Sequence, residues 1–322
     1  MNFPVRTTLV AVFASLAVLL AGAFMALERG WARTFDAPYP PVVASTDPAI
    51  LERGRYLVYG PGACAYCHVV REQWKQLARG EMPPLTGAHV FPLPFGRIFS
   101  ANITPDPDTG IGRRTDGELA RILRYGVRAD GHVAVPLMEY DGLADEDLVA
   151  VISFLRSRPG VRQAVPAHEL TLLGRALMAF AIVPFGPAAP PQRAPSGASV
   201  ARGAYLALKV SACASCHTER NGRGELVGPP FAGGQRMDVA ADATKVYVTP
   251  NLTPDPATSV IGKWTEDVFV RRFRQGEQVE GSPMPWGAYG RMTDDDLRSV
   301  YRYLRSLPPV EHATGPKVQR KG

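Results

Sequence analysis

Two five-residue segments of this chain carry the residues most able to do chemistry. The segments Cys64–His68 and Cys213–His217, CAYCH and CASCH, share the pattern Cys-x-x-Cys-His. Two thiols at this spacing can bond to the two vinyl groups of one haem, and the adjacent imidazole then binds the iron. A thioredoxin-like dithiol or half of a zinc site would use similar cysteines. Because both copies are complete and the chain has 4 cysteines in all, the pattern predicts two covalently bound haem c groups and no disulfide, with haem-binding residues Cys64, Cys67, His68, Cys213, Cys216 and His217.

The two motifs belong to a longer internal repeat. Cys213 follows Cys64 by 149 residues, and the segment NITPDPD at Asn102 recurs as NLTPDPA at Asn251 with the same offset. A third segment, FLRS and later YLRS, keeps this offset as well. One offset over so long a stretch indicates a repeated domain. The predicted division is a membrane anchor or signal at 1–30, a first domain at 47–160, a linker at 161–197, a second domain at 198–311 and a tail at 312–322.

The N-terminal segment predicts export from the cytoplasm. Thr7–Leu27 is free of charged residues and is long enough to span a bilayer as a helix. A cleaved signal peptide would have a shorter apolar stretch, although Ala21-Gly22-Ala23 could serve as its cleavage site. We expect a retained anchor on the basis of length. The net charge of +6 comes from scattered residues and does not indicate a nucleic-acid partner, and the basic tail is predicted to be a solvated, disordered end.

Periodic apolar residues predict an all-α fold for both domains. In the first domain we expect a helix at Ala49–Tyr59, a capped helix beginning at Thr115, and a last helix with Leu148, Val151, Ile152 and Leu155 on one face. Equivalent helices are expected at Ala201–Val210, Thr265–Gln275 and from Thr293 onward. The stretches between them are rich in Pro and Gly and show no strand alternation. Such a domain would wrap helices around a haem, with loops on the far side of the pocket.

The sixth iron ligand is predicted from the repeat. Met138 and Met284 each follow a Pro-containing loop just before the last helix of their domain, at similar separations from the motif histidine. A methionine in such a loop is more often core filler than ligand, but the matched placement favours ligation in both domains. His132 is the competing ligand in the first domain. Met82, Met237 and Met292 are predicted to be dispensable, and His89, His168 and His312 to be surface or loop histidines.

Further residues could support the haems without binding the iron themselves. Pro84 and Pro230 stand at comparable places after the two motifs. A rigid turn there could offer a backbone carbonyl to the Nδ1–H group of the proximal imidazole, although an ordinary proline turn is the alternative. Asn102 and Asn251 could bond a haem propionate or hold their loop.

Together these segments resemble a known family. The Cys-x-x-Cys-His units, the Asn-x-Thr-Pro-Asp segment with Gly110-Ile-Gly112, the methionine before the last helix and the terminal Leu-Arg-Ser are similar to class I cytochrome c domains. In particular, residues 49–310 resemble the cytochrome c subunits of membrane-bound bacterial alcohol and gluconate dehydrogenases. The linker, with Leu170-Thr-Leu-Leu-Gly-Arg175, resembles the apolar crossover between the first two domains of that family. Those subunits usually carry three haem domains, whereas this chain has two motifs.

The resemblance implies electron transfer and no catalysis by the chain itself. Two tandem class I cytochrome c domains behind an N-terminal transmembrane helix would take electrons from a periplasmic dehydrogenase subunit or another redox protein. They would pass them to quinone, another cytochrome or a terminal oxidase. The family also implies a bacterial inner-membrane location with the haem domains facing the periplasm. The alternative is a dihaem enzyme such as a cytochrome c peroxidase, which needs an open iron position that two methionine ligands would not leave.

Overall fold

The computed structural model describes residues 5–321 except 139, 187–190, 222–223, 240–241 and 243. Its first element is a long apolar helix, α1, at Val5–Trp31. The stretch Thr8–Trp31 has a mean hydropathy of 2.5 and is long and apolar enough to cross a membrane. At 1.5 Å per residue it reaches about 36 Å, against about 30 Å for the hydrocarbon core of a bilayer. Most of its apolar side chains are exposed, as in a helix whose environment is lipid.

The repeat appears in the structure as two similar sets of helices. We call residues 47–160 repeat one and residues 198–311 repeat two. Repeat one contains α2 (Pro48–Tyr59), α3 (Cys64–His68), α4 (Trp74–Ala78), α5 (Asp116–Tyr125) and α6 (Asp145–Ser157). After α7 (Leu172–Ala176) in the linker, repeat two contains α8 (Val200–Tyr205), α9 (Cys213–His217), α10 (Glu266–Arg274), α11 (Trp286–Tyr289) and α12 (Asp294–Ser306). The predicted helices are confirmed, except that α8 continues as a π-helix at Leu206–Val210.

The first and last helices of each repeat cross at a glycine. A Cβ atom on Gly54 of α2 would lie 2.0 Å from the Ala150 carbonyl oxygen of α6. In repeat two, a Cβ atom on Gly203 of α8 would lie 1.9 Å from the Ser299 oxygen of α12. Any larger residue would push the helices apart, because interiors are close-packed. This crossing therefore fixes the helix that leads into each Cys-x-x-Cys-His motif against the helix that ends the repeat.

Local capping explains where several helices begin. Asp47 accepts the backbone N–H of Ala49 at 2.7 Å, and Pro48 opens α2 with its φ already suited to a helix. Thr115 and Glu118 form the predicted capping box of α5. Thr265 caps α10 in the same position of repeat two. These contacts satisfy backbone donors that have no partner within the helix.

The prediction of purely α-helical domains is wrong for the stretches between the helices. Each repeat carries a small antiparallel sheet of three strands. Val90 pairs with Phe99 in the first sheet, and Arg236 pairs with Val248 in the second. The third strand of each sheet comes from beyond the repeat, from the linker in one case and from the tail in the other. The strands are β1 (Val90–Leu93), β2 (Gly96–Phe99) and β3 (Glu169–Leu170), then β4 (Arg236–Asp238), β5 (Lys245–Val248) and β6 (Val318–Arg320).

The tail is therefore ordered by pairing. Lys245 lies opposite Arg320 and Tyr247 lies opposite Val318 in the ladder between β5 and β6. The prediction of a solvated, disordered end is wrong, because backbone hydrogen bonds to an edge strand stabilise the segment. The basic composition of the tail gave no sign of this pairing.

The two repeats share one hydrophobic core. Leu57 and Leu148 of repeat one and Leu206 and Leu297 of repeat two are at most 1% exposed and belong to one continuous cluster of buried side chains. The crossover segment of the linker packs elsewhere, on the C-terminal end of α1. There Ala179 is 1% exposed, and a Cβ atom on Gly30 would lie 2.8 Å from its Cβ. The repeats are thus packed directly on each other, and the apolar linker contacts α1.

Candidate haem sites

Each Cys-x-x-Cys-His motif forms one turn of helix after a residue in the left-handed region. Ala63 before α3 has φ 50°, and Ala212 before α9 has φ 46°. Non-glycine residues seldom adopt this conformation, and the same deviation in both repeats indicates a specific backbone geometry. This left-handed residue lets the chain bend sharply before the first cysteine, where the helical turn begins. Both cysteines and the histidine therefore lie in one turn. No disulfide joins the four cysteines of these two motifs.

The electrostatics of these cysteines disfavour a thioredoxin-like dithiol. Burial raises the pKa of the Cys64 thiol to about 11 and that of the Cys213 thiol to about 12. A redox-active Cys-x-x-Cys pair needs the opposite, a thiol pKa lowered by its surroundings. Among the residues that the structure describes, no three His, Cys, Asp or Glu side chains are grouped so that they could hold a metal ion. Cys64, Cys67 and Cys213 are partly buried, whereas Cys216 is exposed.

Both proximal histidines are oriented by a backbone carbonyl. The Nδ1 atom of His68 lies 2.8 Å from the Ala101 oxygen, and that of His217 lies 3.2 Å from the Pro250 oxygen. Because a carbonyl only accepts, Nδ1 carries the proton and Nε2 is left with a free lone pair for iron. Burial lowers the pKa of both imidazoles, to about 4 for His217, which keeps them in the neutral form that binds metal.

The predicted source of this carbonyl is wrong. Pro84 and Pro230 are both exposed, and the acceptors are instead Ala101 and Pro250, the residues just before Asn102 and Asn251. The proline segments lead the chain back past the motif, where Gly87 donates its N–H to the His68 oxygen at 2.8 Å. Gly233 makes the same contact with His217 at 2.8 Å.

Asn102 and Asn251 hold the loops that carry these carbonyls. The Asn102 amide donates to Thr109 Oγ1 at 3.0 Å and to the Val161 oxygen at 2.9 Å, and its Oδ1 accepts the Thr104 N–H. Asn251 makes the equivalent three contacts in repeat two. Both side chains are at most 3% exposed, and these bonds occupy their amide groups. Of the two predicted roles, the structure supports loop holding.

In repeat two the motif opens into an apolar cavity. Cys213, Cys216, His217 and Met284 all line it, together with many apolar side chains. Cofactor pockets likewise have walls that are mostly apolar with a few polar groups. The cavity thus brings together the three motif residues and the methionine predicted as the sixth ligand.

A second methionine, Met237 on β4, also lines this cavity. The strand registers identify its counterpart: Val90 pairs with Phe99 as Arg236 pairs with Val248, so Met237 corresponds to Phe91 of repeat one. A phenylalanine cannot bind iron. If the two repeats bind their cofactors alike, this comparison favours Met284, whose counterpart is Met138.

In repeat one the loop that carries Met138 lies against the motif. Tyr140, two residues later, donates its hydroxyl to the Gly62 oxygen, and that hydroxyl lies 3.9 Å from Cys64 Sγ. His132 lies farther back, in a turn where its backbone N–H donates to Asp130 at 3.0 Å. Tyr140 is therefore the residue near Met138 that the structure shows in contact with the attachment turn.

The remaining histidines have structural partners. His89 lies in a loop, one of the two predicted alternatives, but not at the surface: it is 7% exposed and stacks on Trp74 with ring centroids 5.3 Å apart. His168 accepts the Phe99 N–H at 3.3 Å, and His312 donates to the Ala232 oxygen at 3.0 Å.

Two cations that line this cavity were not identified from the sequence. They are Arg272 of α10 and Lys317 of the tail. Burial lowers the pKa of both groups, and the charge of Arg272 lowers that of Lys317 further. In the part of the chain that the structure describes, neither forms an ion pair with a carboxylate. Two cations that line an apolar cavity fit an anionic group such as the propionates of a haem.

The second repeat is similar to a known family of cytochromes. Residues 198–304 match the family described as "Cytochrome C oxidase, cbb3-type, subunit III". This segment is therefore similar to a cytochrome domain. The chain is 30% identical over 300 residues to the cytochrome c subunit of a quinone-linked alcohol dehydrogenase from Gluconobacter oxydans, covering 89% of this chain and 59% of that protein. The predicted resemblance to cytochrome c subunits of alcohol and gluconate dehydrogenases is confirmed.

Two other relatives extend the comparison. The chain is 32% identical over 317 residues to a nicotinate dehydrogenase subunit of Pseudomonas putida, covering 92% of this chain and 24% of that protein. It is 28% identical over 283 residues to a diheme c-type cytochrome of Cereibacter sphaeroides, covering 79% of this chain and 85% of that protein. The chain thus spans 59% and 24% of the two dehydrogenase subunits, less than two thirds of each, and most of the diheme cytochrome.

Proposed function

We propose that this chain is a dihaem c-type cytochrome that carries electrons from a dehydrogenase into a respiratory chain. The observation that carries the proposal is the duplicated attachment site. In both repeats a residue with a left-handed backbone conformation precedes the motif, and a backbone carbonyl orients the motif histidine. When bound, haem c supplies one-electron redox chemistry. The chain's own residues attach it, orient its proximal imidazole and keep water away from it.

The ligand set we propose is the same in both repeats. Cys64 and Cys67 would bond one haem, with His68 and Met138 at its iron. Cys213 and Cys216 would bond the other, with His217 and Met284 at its iron. A thioether opposite an imidazole raises the reduction potential relative to two imidazoles, and Arg272 with Lys317 would pair with the propionates in repeat two. With two ligands from the protein, neither iron would offer the open position that a peroxidase needs, and the relatives do not indicate such an enzyme.

The proposed donor is a dehydrogenase subunit, because the relatives named above are subunits of dehydrogenases. The proposed acceptor is quinone, another cytochrome or a terminal oxidase. The helix Thr8–Trp31 would anchor the chain in the inner membrane, with the haem domains in the periplasm, where haem c is attached in bacteria.

A co-purification experiment tests this function. The tagged chain would be isolated from detergent-solubilised membranes, with and without residues 1–30, and its partners identified by mass spectrometry. We expect the full chain to bring down a dehydrogenase subunit, and the substrate of that subunit to reduce the haem α-bands. Haems that no dehydrogenase substrate reduces, together with consumption of hydrogen peroxide, would contradict the proposal.

The same preparation tests the anchor. A retained helix predicts resistance to carbonate and high-salt washes, with extraction only by detergent. An intact-mass spectrum beginning near residue 24 would instead show cleavage at the small residues Ala21-Gly22-Ala23.

A further inference from the structure

The end of α1 and the linker are packed against each other. The crossover segment of the linker, residues 171–183, contains α7 and a π-helix at Leu177–Ala181. A Cβ atom on Gly30 would lie 2.8 Å from the Cβ of Ala179. Just after α1 ends, Arg33 donates its guanidinium to the Ile182 oxygen at 2.9 Å. The crossover segment is therefore held beside the last turn of α1.

This last turn lies at the level where a bilayer would end. The apolar stretch Thr8–Trp31 is about 6 Å longer than the hydrocarbon core of a bilayer, which is about 30 Å thick. The first charges after the apolar stretch are those of Glu28 and Arg29, and Trp31 is of a residue type that is enriched at membrane–water interfaces. A segment that packs on Gly30 therefore lies at the same boundary, on the side of the membrane that holds the repeats.

The crossover segment presents large apolar side chains to its surroundings. Four of them, all within twelve residues of chain, are more than half exposed: Leu172, Leu173, Phe180 and Val183. Soluble proteins rarely leave such a group of apolar side chains without a partner. Arg175 is also part of this surface, and its guanidinium lies 5.5 Å from the centroid of the Trp31 ring. Exposed apolar side chains with arginines beside them are typical of helices that lie in a membrane interface.

Both ends of the crossover segment are bonded to repeat one. At its start, Thr171 donates its hydroxyl to the Phe95 oxygen at 3.1 Å. Just beyond its end, Phe185 donates its backbone N–H to the Tyr125 oxygen at 3.1 Å. A Cβ atom on Gly174 would lie 2.2 Å from the same Phe95 oxygen, so the packing there is close. The segment is therefore fixed on repeat one, and it is not a loose tether.

We propose that the crossover segment is a second membrane contact, and that its four exposed apolar side chains enter the lipid interface beside α1. The inference rests on the proposed membrane anchor. A single helix would leave the haem domains free to rotate about their connection to it. A second contact that is bonded to repeat one would instead set the orientation of that repeat on the bilayer. The apolar side chains stabilise the contact because they leave water for lipid.

The position of this surface favours lipid over a protein partner as its occupant. The segment is continuous with the last turn of α1, so a protein that covered it would have to lie at the bilayer boundary itself. The charges agree with a lipid surface, because Arg29 and Arg175 are both exposed there. Their guanidinium groups can reach the phosphates of headgroups while their aliphatic stems lie along apolar surface.

Quenching of a fluorescent label tests the contact in the full chain with its haems. Because the four native cysteines would be bonded to haem, one introduced cysteine is the only free thiol and can carry a bimane label. Leu173→Cys and Phe180→Cys report on the crossover segment. Val227→Cys is the matched control, because Val227 is a similarly exposed apolar residue of repeat two, at 56%.

Each labelled variant would be reconstituted alone into vesicles of phosphatidylcholine and phosphatidylglycerol. One quencher is a lipid with a nitroxide group on its acyl chain, and the other is iodide in the water on both sides of the membrane. We expect the labels at positions 173 and 180 to lose most of their fluorescence to the nitroxide lipid and little to iodide. The label at position 227 should show the reverse, because it stays in water.

The outcomes distinguish this contact from the anchor on which it rests. Iodide quenching as strong at positions 173 and 180 as at 227, in a chain whose intact mass includes α1, would overturn the contact and leave the anchor in place. Little quenching by either reagent would show that protein covers the segment, which would overturn lipid as its occupant. An intact mass that begins near residue 24 would overturn the anchor and this inference with it. If Phe180→Cys does not bind two haems, Val183→Cys replaces it, with the same result expected.

Discussion

The hydroxyl of Tyr56 in repeat one donates to the carboxylate of Asp296 in repeat two at 2.6 Å. The reverse contact also exists: Tyr205 of repeat two donates to Asp147 of repeat one at 2.7 Å. Both pairs are related by the 149-residue offset, so the two repeats are joined by a reciprocal, pseudo-symmetric interface. Each carboxylate is also held by an arginine of its own repeat, Asp147 by Arg53 and Asp296 by Arg202, both at 2.8 Å.

Removing either hydroxyl should weaken the interface. Tyr56→Phe removes one hydrogen-bond donor from the Asp296 carboxylate, and Tyr205→Phe removes one from Asp147; each carboxylate keeps its arginine. Leaving a buried polar group without such a bond lowers the free energy of unfolding by about 1–3 kcal/mol. We expect a loss of this size in urea unfolding of the holoprotein, with both haems still bound. A double-mutant cycle of Tyr56→Phe with Asp296→Asn isolates the pair. Additive effects in that cycle would show that the hydrogen bond contributes nothing.

Acid should destabilise the same interface. Burial alone would raise the pKa of Asp296, but the bonds from Arg202 and Tyr56 outweigh it, and the net pKa is lowered. A lowered folded-state pKa contributes stability above the unfolded pKa, about 3.9, and that stability is lost as the pH falls through the folded pKa. Asp296→Asn should therefore flatten the fall in unfolding free energy at acid pH. The exposed Asp295→Asn is the control, and equal acid sensitivity in both variants would refute the assignment.

The axial ligands are testable by near-infrared spectroscopy. A sulfur ligand in each repeat predicts a weak Met–Fe(III) charge-transfer band with intensity for two centres. Met284→Ala and Met138→Ala should each abolish half of it, lower the potential of that haem and admit carbon monoxide, because the thioether favours ferrous iron. Met237→Leu, which alters the same cavity, should leave the band intact.

Ligation of the repeat-one iron by His132 instead of Met138 would give a different result. If Met138→Ala leaves the band unchanged while His132→Ala alters it, repeat one is ligated by two histidines. Met82→Leu and Met292→Leu should be neutral for the band. Met292 is 3% exposed, so Met292→Ala should cost stability through packing, by about 2–5 kcal/mol, without changing the ligation.

The cation pair of repeat two should raise the potential of its haem. Arg272→Gln and Lys317→Gln each remove a positive charge beside the proposed propionates, which disfavours the more negative ferrous state. We expect a fall on the order of tens of millivolts in one of the two midpoint potentials, where about 59 mV is a tenfold change for one electron. The exposed neighbour Arg271→Gln should cause no comparable shift. Equal shifts in all three variants would mean that only net charge matters.

Features set by local spacing could be predicted from the sequence. The attachment turns depend on five adjacent residues, and the capping box of Thr115 and Glu118 on four. The helices followed from apolar periodicity because one face of each is buried. The matched placement of Met138 and Met284 came from the repeat, and the structure brings Met284 to the cavity with the motif.

Features set by distant pairing could not be predicted. The carbonyls that orient His68 and His217 come from residues 33 positions later, and nothing in Ala101 or Pro250 as residue types marks them. Lys317 reaches the cavity because the tail pairs with β5 through β6. The sequence of so short a strand does not predict this pairing. The tyrosine–aspartate contacts between repeats depend on how the repeats pack. In the sequence, these two tyrosines and two aspartates were marked only by their shared offset of 149 residues.

The most direct test of the whole account is the number of covalently bound haems. Purified protein would be extracted with acidified acetone and then titrated as the pyridine haemochrome against protein concentration. Because both attachment turns are complete and equivalent, we predict two haems per chain that stay with the polypeptide. One haem per chain, or colour that leaves with the solvent, would contradict the central claim that both repeats are cytochrome c sites.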